Sequence, residues 1–190
     1  MTDFICDQTF TSKDYTQNRL RRAEYENCTF KGCNFSNGFL DNQNFMECVF
    51  TDCNLSNANL TNTIFKEVEF EHCKMMGMKF EDCNSFLMTF SFWDCTLNFS
   101  SFYGLELKRL QLRDCRLISV DFTDCDLTQS TFDNCNLEKA IFIGTNLTKA
   151  DLSTSFNFSL NPEQNQLQDA KFALAGLPGL LAKYKIKVIP

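Results

Sequence analysis

Histidine, tryptophan, proline and glycine are all scarce in this 190-residue chain: one, one, three and seven residues respectively. A lone histidine, His72, leaves no second imidazole for acid–base work. The sequence has no Gly-rich phosphate loop, G-x-S-x-G or H-E-x-x-H, so the commonest starting points for catalysis are missing. No C-x-x-C pair occurs among its eleven cysteines, which argues against a zinc site. An enzyme is not expected, nor a cofactor or a metal. No apolar run approaches the roughly 18 residues of a membrane span. Met1–Asp7 lacks the basic region and sustained apolar stretch of a secretory signal. The expected location is therefore the cytoplasm, where thiols stay reduced. Positive charge is also short, with 18 Lys and Arg against 24 Asp and Glu and a net charge of −6. That argues against nucleic acid as a direct partner and leaves a soluble protein or one with a basic partner.

What the chain does have is a beat of five. Large apolar residues stand at Tyr15, Leu20, Tyr25, Phe30, Phe35, Leu40, Phe45 and every fifth position to Phe80. The beat slips by two between Glu81 and Phe92, then runs through Leu97, Phe102 and Leu107 to Leu152. A period of five is neither helix nor strand; it describes a coil that turns a corner every five residues. Two positions before each centre the residue is small. Cys28, Cys33, Cys48, Cys53, Cys73, Cys83, Cys95, Cys115, Cys125 and Cys135 share that position with Ala23, Gly38, Ala58, Ser100, Ser130, Ala140 and Ala150. These cysteines read as small, buried, inert hydrophobes, about one strand spacing apart and so not expected to form disulfides.

The remaining positions are polar, as Asn54-Leu55-Ser56-Asn57-Ala58-Asn59-Leu60-Thr61-Asn62 and residues 121–132 show. This pattern, A(D/N)LXX, resembles the pentapeptide repeat, and the match runs from residue 10 to about 152. The resemblance implies an all-β fold: a right-handed quadrilateral parallel β-helix, four pentapeptides to a coil, with residues twenty apart stacked. One column would then read Phe10, Phe30, Phe50, Phe70, Phe92, Leu112, Phe132 and Leu152, and another Leu20, Leu40, Leu60, Phe80, Phe102, Phe122 and Phe142. At the slip, Leu87 fits the new register, which places Phe86, Met88 and Trp93 near a bulge that reads either as a kink or as a recognition spot. The solenoid is expected over 1–172, including one distorted last coil in which Leu167 and Phe172 fall back in step. A tail over 173–190 follows, a short helix and then a strand from Lys185.

Sorting the outward residues by side places seven acids with the long Phe column: Asp52, Glu69, Glu71, Asp94, Asp114, Asp133 and Asp151, against the bases Lys31 and Arg113. The other three sides are nearer balance, and His72 points outward without a fixed acid–base partner. An acidic face serves solubility, or its carboxylates stand in for phosphates in a protein groove shaped for duplex DNA. The tail likewise has two readings. It caps the solenoid, or Leu177, Leu180, Leu181, Ile186 and Val188 form a dimer contact.

Asn161-Pro162-Glu163-Gln164-Asn165 followed by residues 179–189 resembles the tail of the Qnr and MfpA group, with McbG and AlbG similar in plan. This resemblance implies a homodimeric rod, joined through the tail, that mimics DNA. Such a rod binds DNA gyrase or topoisomerase IV and protects it from quinolones or a toxin without covalent chemistry. Gram-negative Qnr proteins carry two projecting loops. This chain shows only the two-residue slip and stands closer to the loopless MfpA type. The rival reading is a scaffold for an unrelated protein partner.

Overall fold

The computed structural model describes residues 3–187 and 189. The chain winds into a parallel β-solenoid of about eight turns with one short C-terminal helix. The stacking interval is twenty residues: Phe10 lies on Phe30, Phe30 on Phe50 and Phe50 on Phe70. Each coil has four sides, named here for Tyr25, Phe30, Phe35 and Leu40. Coiling begins before the repeat pattern becomes recognisable at residue 10, because Asp3–Cys6 already pairs with Ala23–Glu26.

The interior follows from the alternation of large centres and small residues two before them, nearly all buried. Rings stack along the sides, with Phe30 and Phe50 at 4.7 Å between centroids and Phe80 and Phe102 at 4.4 Å. Across the corners they meet edge-on, as Phe30 and Phe45 do at 5.7 Å. Burying each Phe or Leu contributes roughly 1.5–3 kcal/mol.

Where the small position holds Cys, Ser or Thr, its side chain also donates a hydrogen bond to the carbonyl of a centre in the preceding coil. Cys53 Sγ reaches Phe30 O at 3.2 Å, Cys73 Sγ reaches Phe50 O at 3.2 Å, and Ser100 Oγ reaches Met75 O at 2.8 Å. Cysteine fills the space as a small hydrophobe and also supplies a weak donor. All eleven cysteines are free thiols and only Cys6 is exposed.

Corners explain the polar positions. Two residues after a centre the backbone enters the left-handed region, as at Asn57 (φ 55°), Asp94 (φ 49°) and Asp114 (φ 55°). Asn and Asp tolerate that conformation better than most residues. One residue before a centre, an Asn or Asp side chain accepts from the N–H two residues on. Ser36 N donates to Asn34 Oδ1 at 3.1 Å and Thr123 N to Asp121 Oδ1 at 2.8 Å. Much of the Asp and Asn content is therefore a requirement of the coil itself.

The slip differs from the expected one. Leu87 is not a centre of the new register. It is 60% exposed at φ 56°, the last corner of the old register, and Phe86 is 71% exposed. The two extra residues fall between Leu87 and Phe90. Phe90, at a position that in most repeats holds a smaller residue, turns inward and fills the place of the missing centre. Its ring lies 6.4 Å from Phe65 and 5.3 Å from Phe80. The sheet on the Tyr25 side stops at Ile64–Lys66, whereas the sheet on the Phe30 side passes the slip unbroken through the pairing of Val68–Glu71 with Phe90–Trp93.

At the far end Leu167 and Phe172 are back in step and pack on the core, and Lys171–Phe172 pairs with Asp151–Leu152. The chain then forms a helical run centred on α1 (Leu177–Leu181). The expected strand from Lys185 is not formed among the described residues; Lys185 instead turns the chain at φ 52°.

Candidate partner-binding face

The Phe30 side is one nine-stranded parallel sheet running from Thr9–Thr11 to Lys171–Phe172. At ~4.8 Å per strand it is roughly 38 Å long. All seven acids expected on this side are brought together there. Glu69 and Asp151 stand one before a centre, Glu71 and Asp133 one after, and Asp52, Asp94 and Asp114 at its corner. Asp52, Glu69, Asp94 and Asp114 are exposed, and the other three are half-buried.

Stacking gives several of these acids partners that a linear count misses. His72 lies between two carboxylates, Nδ1 3.8 Å from Asp52 and Nε2 3.9 Å from Asp94. The expectation that His72 lacks a fixed partner is thereby corrected: the coil places an acid directly before and after it. Arg113 Nε donates to Asp133 at 3.1 Å. Lys171, a third base on this side, lies 3.2 Å from Asp151. The hydroxyl and N–H of Ser153, followed by Lys171, hold the Asp151 carboxyl below the usual carboxylate range. Asn134 donates to Asp114 at 2.7 Å. Exposed pairs of this kind add little stability, but they decide which charges are free for a partner. Among the described residues, Glu69, Asp94 and Asp114 have no lysine or arginine within ion-pair distance.

Trp93 stands in the same row as Glu71, Arg113 and Asp133, on the middle strand of the nine. The Arg113 guanidinium carbon lies 4.9 Å from its ring centroid. Trp93 is therefore part of the regular sheet and not of the slip.

The family pattern for a pentapeptide repeat region matches residues 43–122, and that for eight copies of the pentapeptide repeat matches residues 121–155. The chain belongs to the pentapeptide-repeat family. Among solved structures, a trypsin-treated form of QnrB1, a plasmid-mediated fluoroquinolone resistance protein, is 21% identical. The alignment covers 97% of this chain and 99% of that one, at a TM-score of 0.65. Full-length QnrB1 is 22% identical over 95% and 99% of the two chains, at a TM-score of 0.53. HetL, involved in heterocyst differentiation regulation in Nostoc sp. strain PCC 7120, is 15% identical over 89% and 87%, at a TM-score of 0.52. No curated protein sequence matches. These likenesses establish the pentapeptide-repeat fold. No described helix is long and apolar enough to cross a membrane.

The tail seals the last coil. Gly176 and Gly179 lie against Phe158 so closely that a Cβ on Gly179 would collide with its carbonyl oxygen, and Leu160 N donates to Gly179 O at 3.2 Å. Lys183 pairs with Glu163, whose carboxyl also accepts from the Tyr184 hydroxyl at 3.0 Å. Among the residues expected at a dimer contact, Leu180 packs on the core and Leu181 is half-buried. Leu177 is 39% exposed and Ile186 58% exposed; Val188 lies outside the described residues. Leu174 and Ile189 add exposed apolar surface. The tail thus closes its own solenoid and still presents an apolar outer surface. Leu180→Asp is expected to destabilise the protein by about 2–5 kcal/mol in denaturant unfolding. Leu177→Asp, compared with the parent at a protein concentration where both are monomeric, is expected to leave the unfolding midpoint nearly unchanged.

Proposed function

We propose that this chain is a non-enzymatic, cytoplasmic rod that mimics duplex DNA. It binds DNA gyrase or topoisomerase IV through the acidic Phe30 side and protects the enzyme from a quinolone or a topoisomerase toxin. The observation that carries this reading is the continuous nine-stranded face, along which seven acids stand against three bases. DNA of the same length would carry roughly 20 phosphates. The resemblance therefore lies as much in the long, regular rod as in the charge, and a groove lined with Lys and Arg supplies the complement. The absence of a metal-binding cluster among the described residues is compatible with this role but does not carry it. The exposed tail residues Leu177 and Ile186 join two copies end to end. Leu177→Asp then gives a folded monomer in analytical ultracentrifugation, and a variant that stays dimeric refutes that contact.

Gyrase supercoiling, titrated with this protein in the presence and absence of ciprofloxacin, tests the function. Rescue of supercoiling in the drug's presence supports protection. Inhibition in its absence supports occupation of the DNA groove. No effect in either arm overturns the topoisomerase reading and leaves a scaffold for another partner.

A further inference from the structure

We propose that Trp93, held in place by Arg113, is the anchor around which the acidic face recognises its partner, a cationic protein surface. This rests on the topoisomerase reading and adds to it a specific point of attachment.

Three independent observations meet at Trp93. The first is its placement. It is the only Phe, Tyr or Trp at an outward position of the nine-stranded side among the described residues, it is half-buried, and it lies on the middle strand. The acids are distributed around it. Asp94 follows it in the chain, Glu69 and Glu71 lie one coil before, Asp114 one coil after, Asp52 two before and Asp133 two after. An aromatic at the middle of a charged ring is the arrangement of a binding hot spot with a polar rim.

The second observation is that the coil does not need tryptophan there. Equivalent positions in other coils hold Thr11, Lys31, Thr51 and Ser153, so small or charged side chains satisfy the fold. The interior behind this strand is already filled by Phe92 and Phe90. The third is pre-organisation. Arg113 stacks on the indole at 4.9 Å and is itself tethered to Asp133 at 3.1 Å. The ring is ordered before the partner arrives, which reduces the entropy cost of binding. Exposed carboxylates steer and orient a partner and pair with its cations. A tryptophan supplies a large apolar area and a face that favours cations. The surrounding carboxylates choose the occupant: a protein surface carrying Lys and Arg, with an apolar contact near its middle.

Trp93 is also the only tryptophan in the chain, so 5-fluorotryptophan labelling yields one fluorine resonance, and unlabelled gyrase adds none. That resonance is expected to shift or broaden at saturating gyrase. Trp93→Ala is expected to weaken gyrase binding at least tenfold, with an unchanged thermal melt. A resonance unmoved by saturating gyrase overturns the inference, as does a Trp93→Ala variant that binds within twofold of the parent. In both cases the topoisomerase reading survives, because the parent protein still binds. Failure of the parent protein to bind gyrase refutes that reading itself, and the inference falls with it.

Discussion

Replacing Glu69, Asp94 and Asp114 together by lysine is expected to weaken gyrase binding by about a hundredfold or more, while the protein still folds. These three are the carboxylates of the Phe30 side to choose, because they are exposed and, among the described residues, have no lysine or arginine within ion-pair distance. Asp133 is a poorer choice. It is tied to Arg113, and a lysine there would face that guanidinium directly and mix local repulsion with lost recognition. The triple change moves six units of charge on one face, and each close interfacial charge pair contributes on the order of 1.5 kcal/mol or more. The salt dependence of binding should flatten at the same time, since fewer charges meet the partner. A control variant reverses Glu47, Glu67 and Glu106, exposed acids of the Tyr25 side. It has the same net charge and should bind like the parent. Equal loss in both variants would show that net charge alone matters.

The second large effect concerns the thiols. In the native protein a thiol-specific reagent is expected to modify Cys6 alone, the one exposed cysteine. The other ten should react only after denaturation. Burial is the main cause that pushes the Cys48 and Cys125 thiols up to about 12, and burial likewise raises Cys83. A thiol whose folded pKa lies above its unfolded value stabilises the fold fully below the unfolded value, near 8.5. That contribution is lost as pH rises toward the folded value. Stability in denaturant should therefore be insensitive to these groups up to about pH 8 and fall steadily between about 9 and 12. Rapid modification of several thiols in the native state at pH 8 would contradict the packing described for the interior.

The interior was legible because its rule recurs in most repeats: a large apolar centre with a smaller residue two before it. Counting by twenty from Phe10 gives the stacked column of the Phe30 side, and the same count places the seven acids. The break was harder to place. Ser85, Phe86 and Leu87 offer no centre that obeys the rule without contradiction, and the chain resolves this by burying Phe90 where a small residue belongs. The pairing of His72 with Asp94 was obscured for the same reason, since stacking across the break spans 22 residues instead of twenty. Lys171 escaped the count because the beat weakens after Leu152, although the coil does not. The role of Asn and Asp at the corners is a backbone property that periodicity does not reveal. The docking of Gly176 and Gly179 on Phe158 is a tertiary contact with no repeat to announce it.

The central claim is that the Phe30 side occupies the place of duplex DNA. The most direct measurement is equilibrium binding of the fluorescently labelled protein to gyrase in the presence of increasing linear duplex DNA. Mutually exclusive binding, with labelled protein fully displaced at saturating DNA, is the predicted result. A ternary complex in which gyrase holds both with undiminished affinity would contradict it.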